Sequence, residues 1–251
     1  MNGAASVTEA VTGSVHSWDV STGVDGPGTR FVVFAQGCPL RCLYCSNPET
    51  WHMRDGERRE AADLVAKAAG YVPFIRAAGG GATVTGGEPL LQPRFTSALL
   101  RGFKSLGLHT ALDTSGFLGG RADDELLGAT DLVLLDIKSW DTKVYRRLTG
   151  GDLQPTLVFA RRLEALGIPI HVRFVLVPGL TDGAENVDGV AAFTASLGNV
   201  ERVDVLPLHK LATGKYRTLG IPYPVADTPP PTSEQIDEAR ARFAKVGLNV
   251  V

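Results

Sequence analysis

Val32-Val33-Phe34-Ala35-Gln36-Gly37-Cys38-Pro39-Leu40-Arg41-Cys42-Leu43-Tyr44-Cys45 is a short apolar run that empties into a loop carrying three cysteines. Val32 to Phe34 reads as a strand, and Gly37-Cys38-Pro39-Leu40 as the loop it delivers. The spacing Cys38-x-x-x-Cys42-x-x-Cys45 puts three soft thiols on one compact segment, which suits wrapping a small metal centre. No other cysteine occurs in the 251 residues. An odd, clustered set cannot be a disulfide framework for a chain of this size and reads as metal binding in a reducing compartment. Three ligands can hold a four-iron cluster only with one iron left open. A structural zinc site would need His16 or His52 to complete it, giving a zinc-binding interaction module as the non-enzymatic alternative.

Outward from this loop the sequence alternates. Strand-like runs recur at Ala82 to Thr85, His109 to Leu112, Leu132 to Ile137, Ile170 to Val177 and Val203 to Leu206. Helix-like segments lie between or beside them at Ala61 to Ala69, Arg94 to Leu106, Asp123 to Leu127, Leu157 to Leu166 and Val187 to Leu197, several followed by a glycine suited to a helix C-terminus. Such alternation predicts βαβ units on a parallel sheet, with function at the C-terminal ends of the strands. About six units fit, fewer than the eight of a closed barrel. The expected fold is therefore α/β, a partial (β/α)6 TIM-like barrel in a single domain spanning 16–251. Residues 1–15, small and polar, are expected to be a loose N-terminal segment. After the proline-rich stretch 221–232, Thr232 or Ser233 is expected to cap a last helix through Phe243.

Hydrophobic residues make up 44% and charged residues 21%, enough apolar side chain for a substantial core and far from a disordered composition. The formal net charge of −2 supplies no global positive field to collect nucleic acid or anionic lipid. No apolar run approaches the ~20 residues of a spanning helix, so a cytoplasmic location is expected, with neither nucleic acid nor membrane as partner. Phosphate-loop, His-Glu-x-x-His and Gly-x-Ser-x-Gly motifs are absent, and Gly79-Gly80-Gly81 precedes a strand where a dinucleotide loop would follow one.

The strand ends carry the remaining candidates. Gly86-Gly87-Glu88-Pro89 closes one strand with a glycine pair that lets a ligand approach the backbone, then an acid, then a proline suited to a first helical turn. By itself it reads more readily as a plain strand-to-helix turn. Asp113-Thr114-Ser115-Gly116 and Asp136-Ile137-Lys138 end two further strands, so both carboxylates should share one rim of the sheet. A capping role for Asp113 and a surface salt bridge for Lys138 are the plainer alternatives. Arg173 is a charge inside a run that should be buried, which points it into a polar barrel interior. His209 follows the last strand, where a lone histidine is most often a satisfied polar residue.

The cysteine loop resembles that of the radical S-adenosylmethionine enzymes. Val24-Asp25-Gly26-Pro27-Gly28-Thr29-Arg30, Ser46-Asn47-Pro48-Glu49-Thr50-Trp51 and Thr85-Gly86-Gly87-Glu88-Pro89-Leu90-Leu91 extend the resemblance to the glycyl-radical-enzyme activases, in particular those acting on pyruvate formate-lyase, from about His16 onward. The resemblance implies a [4Fe-4S] cluster on Cys38, Cys42 and Cys45, the catalytic centre. It also implies reductive cleavage of S-adenosylmethionine to methionine and a 5′-deoxyadenosyl radical, which takes hydrogen from a glycine of the partner. It assigns Gly86, Gly87 and Glu88 to the amino group of S-adenosylmethionine, and Asp113, Asp136, Lys138 and Arg173 to the same pocket, Lys138 near its carboxylate. Asp113 and Asp136 could hold a monovalent cation. His209 is assigned to a place beside the adenosyl group, Tyr44 and Ser46 to the adenine, and Asp25 to the backbone of the incoming glycine loop. Ser46 stands where this family commonly has histidine, so that side-chain contact is not carried over. Flavodoxin or ferredoxin is the implied electron donor, and the chain is expected to act as a monomer. Without further cysteines it matches the short activases that lack a ferredoxin-like insert. The enzymatic alternative is a relative that acts on a different glycyl radical enzyme or on a small molecule.

Overall fold

A computed structural model describes residues 10–251. Its eight strands are β1 (Thr12–Thr22), β2 (Thr29–Ala35), β3 (Glu57–Glu60), β4 (Gly81–Gly86), β5 (His109–Thr114), β6 (Leu132–Asp136), β7 (Ile170–Leu176) and β8 (Val200–Pro207). The helices that follow β3 to β7 are α1 (Ala61–Ala69), α2 (Val72–Ala77), α3 (Pro93–Ser105), α4 (Asp124–Gly128), α5 (Thr142–Thr149), α6 (Gln154–Ala165) and α7 (Ala184–Ala195). Beyond β8 lie α8 (Thr213–Leu219) and α9 (Ser233–Lys245).

All eight strands form one sheet in the order β3-β1-β2-β4-β5-β6-β7-β8. The six parallel strands β2 and β4 to β8 are the expected ones, and they curl into a barrel whose two edge strands do not pair with each other. The N-terminal expectation needs correcting. Residues 1–9 lie outside the described residues, but Thr12 to Val15 are not loose: they open β1, which pairs antiparallel with β2 on one side and with β3 on the other. β1 escapes an apolar-run reading because it alternates polar and apolar residues, as a strand packed on one face does.

Alternation along the parallel strands separates two environments. Val84, Leu112, Val133, Leu135, Val172 and Phe174, each fully buried, point outward into the main core with helix residues Leu99, Phe103, Phe159 and Phe243. The intervening Asp113, Asp136 and Arg173 therefore point inward, because successive side chains on a strand face opposite ways. Asp136 and Arg173 are direct neighbours in the β6–β7 register. Asp123 caps α4 through a 2.8 Å bond from the Leu126 amide, and Thr232 caps α9 in a reciprocal box with Gln235. The triple glycine that leads into β4 serves close packing: a Cβ on Gly80 would stand 1.7 Å from the Thr29 carbonyl oxygen.

Candidate active site

β2 runs on into the buried Gln36, whose side-chain amide donates to the Glu49 and His52 carbonyls at 2.8 and 2.9 Å. These bonds close the base of the cysteine loop. Backbone bonds from Gly37 to Thr50 (2.7 Å) and from Cys38 to Trp51 (3.1 Å) zip its two arms, while Arg41 and Leu43 donate to Thr149 and Leu148 at the end of α5. The loop is thus a braced platform. Gly37, at φ +95°, leaves no room for a side chain, since a Cβ would sit 2.2 Å from the Met53 sulfur.

The three cysteines share the wall of a cavity of about 220 Å³ with Tyr44, Ser46, Gly86, Gly87, Asp113, Asp136, Lys138, Arg173 and His209. Residues from five strand ends and one loop, spread over 171 positions, meet there. Gly86 and Gly87 close β4 at the point where the chain passes under the platform. A Cβ on Gly86 would strike Ala35 at 2.4 Å, and one on Gly87 would strike the Gly37 carbonyl at 2.3 Å, so only glycine lets the two loops touch.

Glu88 is placed differently from the expectation. Its carboxylate is 1% exposed and is not part of the cavity wall. One oxygen accepts from the Leu90 amide (3.1 Å) and the Thr114 hydroxyl (2.7 Å), the other from the Ser115 amide (3.0 Å) and hydroxyl (2.5 Å). Four donors saturate it, so it has nothing left for an ammonium. It ties the loop after β4 to the loop after β5, and the backbone of Gly86 and Gly87 is what faces the cavity. Asp25 also lies off the cavity wall, half-buried in the β1–β2 turn, where it accepts from the Ser21 hydroxyl at 2.6 Å.

The charges are arranged as two crossed pairs. Arg173 donates to Asp113 at 2.9 Å, and Lys138 donates to Asp136 at 2.8 Å. Burial disfavours the charged form of Lys138, yet Asp136, with Tyr44 and Cys42, holds its ammonium above the ordinary lysine range. Asp136 is likewise held below the usual carboxylate range, because Lys138 and Arg173 outweigh its burial. Asp113 goes the other way. Burial, with the nearby Asp136 and Asp25, pushes it up to about 6 in spite of Arg173 and the Thr85 hydroxyl.

A pH dependence follows. The folded chain binds the Asp113 proton more tightly than the unfolded chain does, so this group's contribution is complete below the ordinary value of 3.8 and is lost as pH rises through about 6. Asp136, whose folded value is depressed, contributes oppositely, and its share is lost as pH falls through that value. Denaturant unfolding of the cluster-free chain and of Asp113→Asn across this range is expected to show the variant gaining on the wild type by on the order of 2 kcal/mol from about pH 4 to about pH 7. Parallel pH profiles would contradict it.

The thiols fit an iron–sulfur cluster better than a single ion. Among the described residues no three His, Cys, Asp or Glu side chains converge as the ligands of one metal ion would. His16 faces Glu49 at 3.5 Å, and His52 is exposed, so neither completes a zinc site. Burial pushes Cys38 up to about 12 and Cys42 up to about 11, and raises Cys45 as well, so the isolated loop holds neutral thiols that need cations to become thiolates. Three soft donors on one wall, with the rest of the cavity open to a further ligand, match the donor set of a four-iron cluster with one iron lacking a protein ligand.

The chain matches the Radical SAM superfamily over residues 32–188. It is 44% identical to the pyruvate formate-lyase-activating enzyme of Staphylococcus epidermidis, over 90% of this chain and 93% of that one. Against the pyruvate formate-lyase 1-activating enzyme of Escherichia coli K12 it is 38% identical, over 96% and 99%. The chain belongs to the pyruvate formate-lyase-activating enzymes of the radical SAM superfamily. Among solved structures, a domain of such an activating enzyme from Bacteroides vulgatus superposes with a TM-score of 0.58 at 27% identity, covering 68% of this chain and 98% of that one. A radical SAM methyltransferase from Sphaerobacter thermophilus shares the fold, with a TM-score of 0.64 at 17% identity over 92% and 71%. No helix among the described residues of this radical SAM enzyme is long and apolar enough to cross a membrane.

Several wall residues of this activating enzyme were not singled out from sequence. Thr85 donates to Asp113 at 2.8 Å, Thr114 and Ser115 anchor Glu88, and Leu40, Asn47, Val175 and Leu206 to Leu208 complete the surface. Thr85 opens the very motif that pointed to Gly86 and Gly87, so its position at the strand end was the available signal.

Proposed function

We propose that this chain activates pyruvate formate-lyase by generating a glycyl radical in it, with Cys38, Cys42 and Cys45 as ligands of a [4Fe-4S] cluster. Carrying this reading is the meeting of three thiols, a bare Gly86–Gly87 backbone and two ion pairs on one cavity of a barrel left open on one side. Cluster and S-adenosylmethionine together supply one-electron cleavage to methionine and a 5′-deoxyadenosyl radical, which takes hydrogen from a glycine Cα.

The chain's own residues bind, orient and exclude. The carbonyls of Gly86 and Gly87 accept from the amino group of S-adenosylmethionine. Lys138, kept cationic by Asp136, and Arg173, held by Asp113, present positive charge to its carboxylate. Tyr44 and His209 flank the adenosyl part, and Ser46 contacts the adenine through its backbone. The carboxylate oxygens of Asp113 and Asp136 that are not engaged by Arg173, Thr85 or Lys138 hold a monovalent cation. Asp25, fixed by Ser21, receives the backbone of the partner's glycine loop. A barrel with unpaired edges admits a loop of a folded protein, and the confined cavity keeps water from the carbon radical. Flavodoxin or ferredoxin delivers the electron, and the chain acts as a cytoplasmic monomer.

Anaerobic reconstitution followed by iron and sulfide analysis and low-temperature EPR of the reduced protein tests this. About four irons per chain and a signal that changes on adding S-adenosylmethionine are expected. Mixing with pyruvate formate-lyase should then produce a glycyl radical signal in that partner. Stoichiometric zinc without a cluster signal, or a cluster that yields no radical in the partner, would overturn it.

A further inference from the structure

A second depression, of about 1010 Å³, lies outside the barrel between α5, α6 and the loops that follow β5 and β6. Its surface includes Phe117 and the exposed Trp140 and Val158, and an apolar patch of this kind rimmed by polar groups marks an interaction site. The rim is basic. Arg121, Arg146 and Arg162 line it, and α5 extends the charge with Lys143 and Arg147, which share a shallow hollow with Arg146. Asp152 and Asp124 pair with Arg146 and Arg162, and Asp141 accepts from amides at the start of α5. Arg121, Lys143 and Arg147 form no ion pair among the described residues. Lys143 in the first turn opposes the helix dipole and repels Arg147 four residues on, so the stability of α5 does not account for it. On a chain of net charge −2 this is a local positive field directed at solvent. The groove also reaches the cysteine loop. A Cβ on Gly151 would stand 2.7 Å from Leu40 Cδ2 and 3.0 Å from Phe117 Cε2, so both side chains close on the same glycine. Leu40 sits between Cys38 and Cys42 and lines the catalytic cavity, and α5 ends in the carbonyls that hold Arg41 and Leu43.

We propose that this groove and its basic rim are the docking surface of the electron donor, an acidic one-electron carrier protein that sets the edge of its cofactor against the apolar floor beside Phe117. The inference rests on the reading of the cysteine loop as a cluster site and deepens it. The step is one electron: the reduced carrier loses it, the oxidised cluster gains it, and no bond forms or breaks. With S-adenosylmethionine in the cavity, the carrier has to approach the loop from its outer side, and electron transfer falls so steeply with distance that it must dock against the loop's own supports. Charge complementarity selects the occupant. A carrier has to bind quickly and leave again, which suits a small apolar patch steered by opposite charges rather than a large dry interface.

The test is anaerobic stopped-flow reduction of the reconstituted holoenzyme by reduced flavodoxin and, separately, by reduced ferredoxin. At low salt, Lys143→Glu and Arg147→Glu are each expected to lower the second-order rate constant of the faster carrier about tenfold, and the gap should close as salt screens the charges. Val158→Glu, in the apolar floor, should lower it at every salt concentration. With photoreduced 5-deazaflavin as the reductant, the same variants should give the wild-type glycyl radical signal in pyruvate formate-lyase. All three side chains are exposed, so the cluster-free variants should melt with the wild type. Wild-type carrier rates in both charge reversals overturn the inference. Radical formation lost with deazaflavin as well would give the groove to the radical-accepting enzyme, and a dimer that Val158→Glu dissociates would give it to a second copy; either result overturns it too. A wild-type cluster that neither carrier reduces removes the donor and this surface with it. A wild-type chain that takes up no cluster overturns the functional reading instead, so the two failures are distinguishable.

Discussion

Alanine at Cys42 is expected to lower the rate of glycyl radical formation by at least about a thousandfold, equivalent to about 4 kcal/mol of barrier. The size of the effect follows from the donor count. Three thiols already leave one iron without a protein ligand, and the chain has no fourth cysteine to substitute. The fold should survive, because the platform is held by backbone bonds from Arg41 to Thr149 at 2.8 Å and from Leu43 to Leu148 at 2.9 Å, neither of which uses the thiol. Iron analysis and EPR after anaerobic reconstitution check it alongside the far-ultraviolet spectrum of the cluster-free chain. A Cys42→Ala chain that retained the wild-type iron content and activity would remove the cysteine loop from the mechanism.

Glu88→Ala has the second-largest expected effect, and it falls on stability. The substitution strips the acceptor from two amides and two hydroxyls, all buried, that meet the carboxylate at 2.5 to 3.1 Å. Leaving several buried donors unpaired costs about 4 kcal/mol, which for a chain of this length lowers the melting temperature by about 10 °C. Glu88→Gln, which keeps one acceptor oxygen, should lose roughly half as much. Thermal melting of the cluster-free chain separates this from ligand binding. Unchanged melting combined with lost S-adenosylmethionine binding would instead make the carboxylate a direct contact to the amino group.

That difference marks where the sequence stops being legible. The parallel strands could be read because strands covered on both faces are near-continuous apolar runs, as in Leu132 to Leu135 and, interrupted by His171 and Arg173, Ile170 to Leu176. Asp113, Asp136 and Arg173 could be read because a charge at or in such a run has only the barrel interior to face. β3 could not, since Glu57-Arg58-Arg59-Glu60 has the composition of a solvated turn. α5 was missed although its signals are present: Asp141 accepts from the Lys143 and Val144 amides at its start, and Gly150 ends it at φ +77°. The role of Glu88 depends on partners 26 and 27 residues away, and the contact of Trp51 with Tyr216 spans 165 positions. Local pattern contains no trace of such pairings; only the assembled sheet brings them together.

The unpaired edges of the sheet carry a cost that a closed barrel avoids. Each edge strand offers free backbone amides and carbonyls to which a strand of another copy could add, the usual route to aggregation. Both edges are blunted here by different means. β3 is four residues long and carries only charged side chains. β8 is covered by the last residues of the chain, with Val203 and Val205 donating to the Asn249 and Val251 carbonyls and Val251 donating back to Val203. The barrel can therefore stay open to a guest loop with both edges partly blunted, and the bare edge that remains is Ser17 to Thr22 of β1, which pairs with β2 alone.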